Sequence, residues 1–489
     1  MAQALTLKAQ VLGLDYSVGY NGTVARPVED KLREMVSVKD FGAVGNDIAD
    51  DTAAIAAAYA SGAATVFFPS GSYRTSAEIV AINVNSVGDG MEAVTITATA
   101  PMTSLLKVNG QNVEVRGMFL SANAKADHGL YMNGTNGGLV EDVLIQSSKK
   151  DGIFFAMGVN NSNTVVRRCC VRGAGTSIVC TVTNSAGGTV VTVSGAGDLT
   201  TRGIRPFYDM VEVGGFGYSI RSVDSASQVT VSQPIANATA AGAGNIRIGS
   251  AVLVTNNGDN SSLKIELNQF QGAAVAGIRN LALYGVQDRG NYFENCEYGH
   301  TIGCMNGGTG ISVMEGTVSL QSYFEESGSS DFLIENCTGV IFEPAQLSTA
   351  SNPYLNAIRC LDWLRASGVE FRYRGATFCG AVSQQTNIVT LAAADVRCGV
   401  RYDFVQSTGA SNFVIELPDP TAGSNLAGMM GALDAKIEFQ MMDIGGKTAS
   451  FQSVGNINQS AADYLHTGNY VLITARYNAT YGWALTKSA

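Results

Sequence analysis

Between residues 36 and 76, apolar positions fall first at strand spacing, then in an unbroken run, then at strand spacing again. Val36, Val38 and Phe41 predict a short strand ending at Gly42, with Gly45 and Asn46 as its turn. Asp50, Asp51 and Thr52 precede the run AAIAAAYA, where side-chain oxygens can cap free amides and negative charge suits the positive end of a helix dipole. Gly62 stops the helix. Residues 64–70 (ATVFFPS) then return as a strand, and Pro69 with Gly71 marks a turn before Tyr73.

A second pattern starts further on. Val115, Met118 and Leu120 recur as Val140, Val143 and Ile145, then as Val166, Cys169 and Val171, at spacings of 25 and 26 residues. Offsets of three and five hold within each set. Between the first two members sit Arg116-Gly117, Glu141-Asp142 and Arg167-Arg168, polar pairs that can turn a corner. There is no Leu ladder with fixed Asn and no long 3.6-residue period, so short strands with one rung per repeat predict a parallel β-helix.

The first pattern adds a family. Asp40, Phe41, Gly42, Ala43, Gly45, Asp50, Asp51, Thr52, Ala54, Ile55, Phe68, Pro69, Gly71 and Tyr73 occur in the order in which they open the pectate-lyase-like right-handed β-helix proteins, among them bacteriophage tailspikes and polysaccharide depolymerases. This stretch of about forty residues resembles that opening; Asn46 stands where an Asp is usual, in a turn that tolerates either. The resemblance is specific for fold and much less so for reaction.

Beyond Gly173 the rungs are interrupted. Ser, Thr and Gly dominate, with short alternating strands at TVVTVSG, DMVEVGG, YSIRSV and QVTVS, which predicts an inserted small β-domain over 174–250. Rungs resume at Leu263. After Gly380 the strands lengthen and alternate as in an antiparallel sandwich. The expected fold is all-β: a right-handed parallel β-helix (36–173 and 251–380) with an N-terminal capping helix, the inserted small β-domain and a C-terminal β-sandwich (381–489). Residues 1–35 are expected to be a virion-attachment peptide with a short helix at RPVEDKLREM. Resemblance to tail proteins implies that the C-terminal domain either holds a homotrimer together or binds carbohydrate, and that the N-terminus meets a phage tail or adapter protein.

Composition narrows the partners. With 56 Gly, 9 Pro and 15% charged residues the chain is neither collagen-like nor disordered. A net charge of −10 without clustered Lys or Arg argues against nucleic acid. No apolar run reaches about eighteen residues, and the first twenty residues lack a basic start and compact apolar core, so neither membrane insertion nor secretion is expected. Nine cysteines in odd number, without a CxxC pair, read as reduced buried residues of a protein made in a reducing cytoplasm. With three histidines, no metal site and no cofactor are expected.

No Walker loop, dinucleotide fingerprint, GxSxG elbow or HExxH is present. What remains is carboxylates and aromatics on strands. Tyr292-Phe293-Glu294 and Tyr323-Phe324-Glu325 are equivalent triplets: on neighbouring rungs Phe points inward, Glu outward, and a rung separation of about 4.8 Å brings the carboxylates together. Two close carboxylates divide into proton donor and anion, as glycoside hydrolysis requires. Asp288 and Glu326 are candidate partners or replacements, as are Glu297 and Asp331; Tyr292, Tyr298 and Tyr323 are candidate sugar-stacking rings, and Arg289 a candidate holder of an acidic sugar. The plainer reading of outward Glu is a solvated face. A lyase is the alternative: His128 beside Tyr131, or His300 beside Tyr298, as base, with Arg279 or Arg289 neutralising a uronate. The acidic group Asp47, Asp50, Asp51 reads as capping rather than calcium binding. Taken with the resemblance, the expected protein is a virion tailspike that depolymerises capsule or O-antigen by hydrolysis; a noncatalytic tail fibre using the same groove to adhere is the competing class.

Overall fold

The computed structural model describes residues 15–17, 21–232, 234–235, 238–255, 262–282, 285–303, 318–336 and 341–345, and beyond these only strand segments between residues 358 and 488. Parallel strands stack in three columns, which form the three faces of a solenoid. The first face begins with Met35–Ser37, Thr65–Phe68 and Asn85–Gly88, and includes Val165–Arg167, Leu263–Glu266, Val286–Arg289 and Val318–Leu320. The second runs from Asn46–Asp50, Gly71–Thr75 and Val94–Ala98 to Cys170–Arg172, Gln269–Gln271, Tyr292–Glu294 and Tyr323–Glu325. Glu114–Ser121 and Leu139–Gln146 cross from the first to the second. The third holds Ile79–Ile82, Met102–Gln111, Ala126–Asn136, Ile153–Phe155, Val252–Val254, Ala276–Asn280, Tyr298–Gly303 and Ser330–Asn336.

The repeat read from the sequence is the register of this stack. Val115 pairs with Val140 and Val140 with Val166, Met118 with Val143, and Leu120 with Ile145 and then Val171; all are buried. The same offsets of three and five continue in Ile265, Asn268, Phe270, then Asp288, Asn291, Phe293, then Ser319, Ser322, Phe324, each set in register with the last. The residue just before each middle position turns the corner in the left-handed region: Gly117, Asp142, Arg168, Leu267, Gly290 and Gln321, at φ between 52° and 66°. On the later rungs a side chain of the next rung serves the amide after this corner, Asn twice and then Ser322 for Asn291 N at 3.3 Å. Asn268 Oδ1 accepts from Cys169 N at 2.9 Å, and Asn291 Oδ1 from Asn268 N at 2.9 Å.

The opening differs in detail from its sequence reading. Only Met35–Ser37 is strand; Val38–Phe41 winds into a 3-10 turn because Ser37 and Asp40 cap each other, with Asp40 accepting from Ser37 N at 2.8 Å. The expected turn at Asn46 begins a strand, Asn46–Asp50. The helix Thr52–Tyr59 forms, but Asp51 makes no side-chain cap. Asp51 is buried and accepts from Val44 N at 2.6 Å and Gly45 N at 3.2 Å, tying down the preceding turn, while Asp50 accepts from Thr52 N at 3.0 Å. The helix packs against the 3-10 turn and Ile79–Ile82.

Between Cys170–Arg172 and Val252–Val254 stands a closed six-stranded antiparallel barrel, Thr176–Asn184 to Thr239–Ile248, with its own core of Val182, Val193, Val211, Ile220, Val229 and Ile246. Toward the C-terminus the pairing is mixed, where an antiparallel sandwich is expected: Ile388–Thr390, Phe413–Glu416 and Ala449–Gln452 are parallel, as are Val400–Phe404 and Lys436–Met441. Antiparallel pairing enters with Tyr464–His466, Val471–Asn478 and Gly482–Ser488. The four described free cysteines, Cys169, Cys170, Cys180 and Cys296, are buried, and burial pushes the Cys296 thiol up to about 11.

Leu267 is an exposed β-carbon-bearing residue held at φ 56° where two other corners carry glycine. Leu267→Gly is therefore expected to raise stability by about 1 kcal/mol, read as a higher urea midpoint at unchanged slope.

Candidate active site on the second face

The two Tyr-Phe-Glu triplets pair residue for residue: Tyr292 with Tyr323, Phe293 with Phe324, Glu294 with Glu325. Phe293 and Phe324 are fully buried and stack at 4.7 Å with planes 3° apart, continuing the inward line from Phe270. Opposite orientation of neighbouring residues then puts both tyrosines and both glutamates on the outer surface. The tyrosine rings stack at 5.2 Å and 21°, and Tyr292 donates its hydroxyl proton to Glu325 Oε2 at 2.5 Å. That hydrogen bond, with partial burial and the neighbouring carboxylates, holds the Tyr292 proton more tightly than in a free phenol.

The glutamates end a long outward line. Asp50, Arg74, Thr97, Ser121, Gln146, Arg172, Gln271, Glu294 and Glu325 succeed one another in register, one per rung, all at least partly exposed. Beside it lies a line running Phe119, Leu144, Cys170, Gln269, Tyr292, Tyr323. Amides, hydroxyls and rings at a repeat of about 4.8 Å suit a long ligand that offers hydroxyls and ring faces at regular intervals.

Other candidates lie elsewhere. Asp288 is inside the solenoid: it occupies the first inward position of its rung, where Val115 stands four rungs earlier, and is 1% exposed. It accepts from Ser319 Oγ at 2.6 Å, Ser322 Oγ at 3.1 Å and Asn291, and lies 3.2 Å from His300 Nδ1. It therefore does not join the glutamate pair. Glu326 turns the corner that follows Glu325, at φ 51°, as Asn295 and Gly272 do on earlier rungs, so it leaves the line its neighbour occupies. Arg289 is exposed on the first face, 3.3 Å from Gln321 Oε1. Tyr298 is fully buried on the third face against Met210, and its hydroxyl accepts from Gly217 N of the barrel at 2.7 Å; it is a docking residue, not a stacking platform. Asp331 is buried, and Glu297 pairs with barrel residue Arg247 at 2.8 Å.

The groups considered for elimination divide as well. His300 is fully buried beside Asp288, and Arg279 is fully buried, donating to the barrel's Phe207 O at 2.6 Å and Ser219 Oγ at 2.7 Å. Neither reaches a groove. His128, itself buried, and Tyr131 do pack together on the third face, their ring centroids 5.6 Å apart. His128 stacks on Phe154 at 4.4 Å and lies 3.1 Å from Asp151, and Lys107 Nζ sits 5.3 Å above the Tyr131 ring.

Asp151 is the residue that sequence reasoning missed. It is fully buried, accepts from Ser250 N at 2.9 Å, and is gripped by Arg205, which also donates to Asp209 at 2.8 Å and so ties the barrel segment to the solenoid. Burial alone would raise its pKa, but the Arg205 charge and the His128 contact outweigh it and hold the carboxyl well below the usual range. The signal was faint: an Asp before Gly152 in a repeat, whose partner lies 54 residues away.

Parts of the chain are similar to known proteins. Residues 35–122 match the family model described as rhamnogalacturonase A/epimerase, pectate lyase-like. The match covers the first rungs of the solenoid. Among curated proteins, mannuronan C5-epimerase AlgE2 of Azotobacter vinelandii is 39% identical over 98 residues, 18% of this chain and 9% of that protein. Alginate lyase 7 of the same organism is 38% identical over 104 residues, 19% of this chain and 11% of that protein. The chain thus spans a small part of each relative. Among solved structures, the N-terminal fragment of bacteriophage phi29 gene product 12 gives a TM-score of 0.44 at 12% identity, over 91% of this chain and 75% of that one.

Removing Arg205 leaves Asp151 buried without its guanidinium partner, with only the Ser250 amide and His128 beside it, so Arg205→Ala is expected to cost about 3 kcal/mol. Because the folded carboxyl titrates below its unfolded value, its contribution is present above about pH 4 and lost as pH falls toward the folded value. Melting temperature followed from pH 7 to 3 should fall less steeply in Asp151→Asn than in the unaltered protein.

Proposed function

We propose that this protein is a bacteriophage tailspike that binds a bacterial surface polysaccharide, capsule or O-antigen, along the second face and hydrolyses it at Glu294 and Glu325. The observation that carries the reading is the in-register pair: two outward carboxylates one rung apart, flanked by stacked tyrosines, at the end of a line of polar side chains. A spacing of about 4.8 Å between rungs falls near the separation that glycosidases of the retaining type use. Three copies assemble through the C-terminal strands, and the N-terminal segment meets the tail; both follow from the family resemblance.

Elimination is the second reading, because His128, Tyr131 and Lys107 come together on the third face and the sequence relatives are named epimerases and a lyase. The two readings use different faces and give different products. Purified protein incubated with a panel of capsular and O-antigen polysaccharides is expected to lower their viscosity without new ultraviolet absorbance. Absorbance from unsaturated sugar ends would replace hydrolysis by elimination, and tight binding without either change would make the protein an adhesin. Glu294→Gln and Glu325→Gln should each lower turnover about 10²- to 10⁴-fold while leaving binding intact.

A further inference from the structure

The two glutamates are not equivalent, although their backbones are. Tyr292 stands one rung before Glu325, and its hydroxyl crosses to that rung to donate to Glu325 Oε2. The corresponding position one rung before Glu294 is Gln269, not a phenol. Gln269 Oε1 is instead the acceptor for the Cys170 thiol at 3.6 Å, and among the described residues Glu294 has no side-chain hydrogen bond. Stacking on Tyr323 further holds the Tyr292 ring in place. A phenol proton aimed at one carboxylate oxygen requires that oxygen to accept, and leaves the other oxygen free to face a sugar.

We infer that Tyr292 assigns the two roles: it positions Glu325 as the nucleophile, and Glu294 is the acid and base. This rests on the hydrolytic reading above. In the first step Glu325 forms a bond to the anomeric carbon while the glycosidic C–O bond breaks, and the leaving oxygen takes the Glu294 proton. In the second, Glu294 takes a proton from water, the water oxygen bonds to the anomeric carbon, and the ester to Glu325 breaks. One water is consumed, and configuration at the anomeric carbon is retained.

The experiment uses the full chain and whichever panel polysaccharide it cleaves, with sodium azide as the probe nucleophile. Proton NMR of the first products should show retained configuration. Glu325→Ala in azide should yield a glycosyl azide of inverted configuration, and Glu294→Ala, given an oligosaccharide of the same polysaccharide with an aryl leaving group that departs without a proton, one of retained configuration. Tyr292→Phe should lower kcat about 10- to 100-fold with little change in KM when the rate is expressed per folded molecule, the folded fraction being fixed by near-ultraviolet circular dichroism so that a loss of folding is not counted as a loss of turnover. Exchanged azide configurations, or inverted first products, overturn the assignment and leave hydrolysis standing. Unchanged kcat in Tyr292→Phe removes the positioning role. Full activity in both alanine variants, or no cleavage anywhere in the panel, overturns the hydrolytic reading and this one with it.

Discussion

The solenoid depends on parallel register held across rungs of unequal length. Backbone hydrogen bonds between successive turns are uniform, so a rung stays in step only if its inward side chains fill the same volume and its corner adopts the same turn. Here the inward positions at offsets of zero, three and five do the first, and a left-handed residue before the middle position does the second. Once both are met, chain inserted elsewhere in the rung does not disturb the stack. That is how 99 residues separate Cys170 from its partner Gln269, and 31 separate Tyr292 from Tyr323, without loss of register.

Register also turns composition into surface. A residue type repeated at one offset becomes a line about 4.8 Å in period, inward or outward according to parity. The inward line through Ile145, Val171, Phe270, Phe293 and Phe324 grows bulkier and ends in stacked rings, while the neighbouring inward lines change from valine and isoleucine to Asp288, Asn291, Ser319 and Ser322. Buried polar groups are tolerated because they satisfy one another: Asp288 accepts from two serines and an asparagine, and the asparagines accept from the amides that follow the corners.

The barrel is held by a different physics. Its strands pair only among themselves, so its placement against the third face rests on side chains: Arg205 between Asp151 and Asp209, Arg279 to Phe207 and Ser219, Arg247 to Glu297, and Tyr298 to Gly217. Three arginines in this role fit the geometry, since a planar guanidinium can serve acceptors on both bodies at once. The barrel thereby sits against the third face, while among the described residues the outer line of the second face stays at least partly exposed.

The amino-acid sequence by itself determined the elements and their period. Spacing alone carried Val115, Val140 and Val166 into one stack and marked the polar pairs as corners, because strand parity and rung length are local properties of the chain; the two Tyr-Phe-Glu triplets are matched by their repeated residue types, across a 31-residue gap longer than the rung. The same spacing, extended to Asp288, Asn291 and Phe293, places Asp288 inward, whereas a carboxylate is by its charge expected outward. Tertiary structure alone decided what those elements meet. That Tyr298 and Arg279 belong to the barrel contact, that Asp151 finds Arg205, and that Tyr292 reaches Glu325 and not Glu294 are facts about residues brought together across rungs, where burial and the orientation of a side chain, not its neighbours in the chain, set its role.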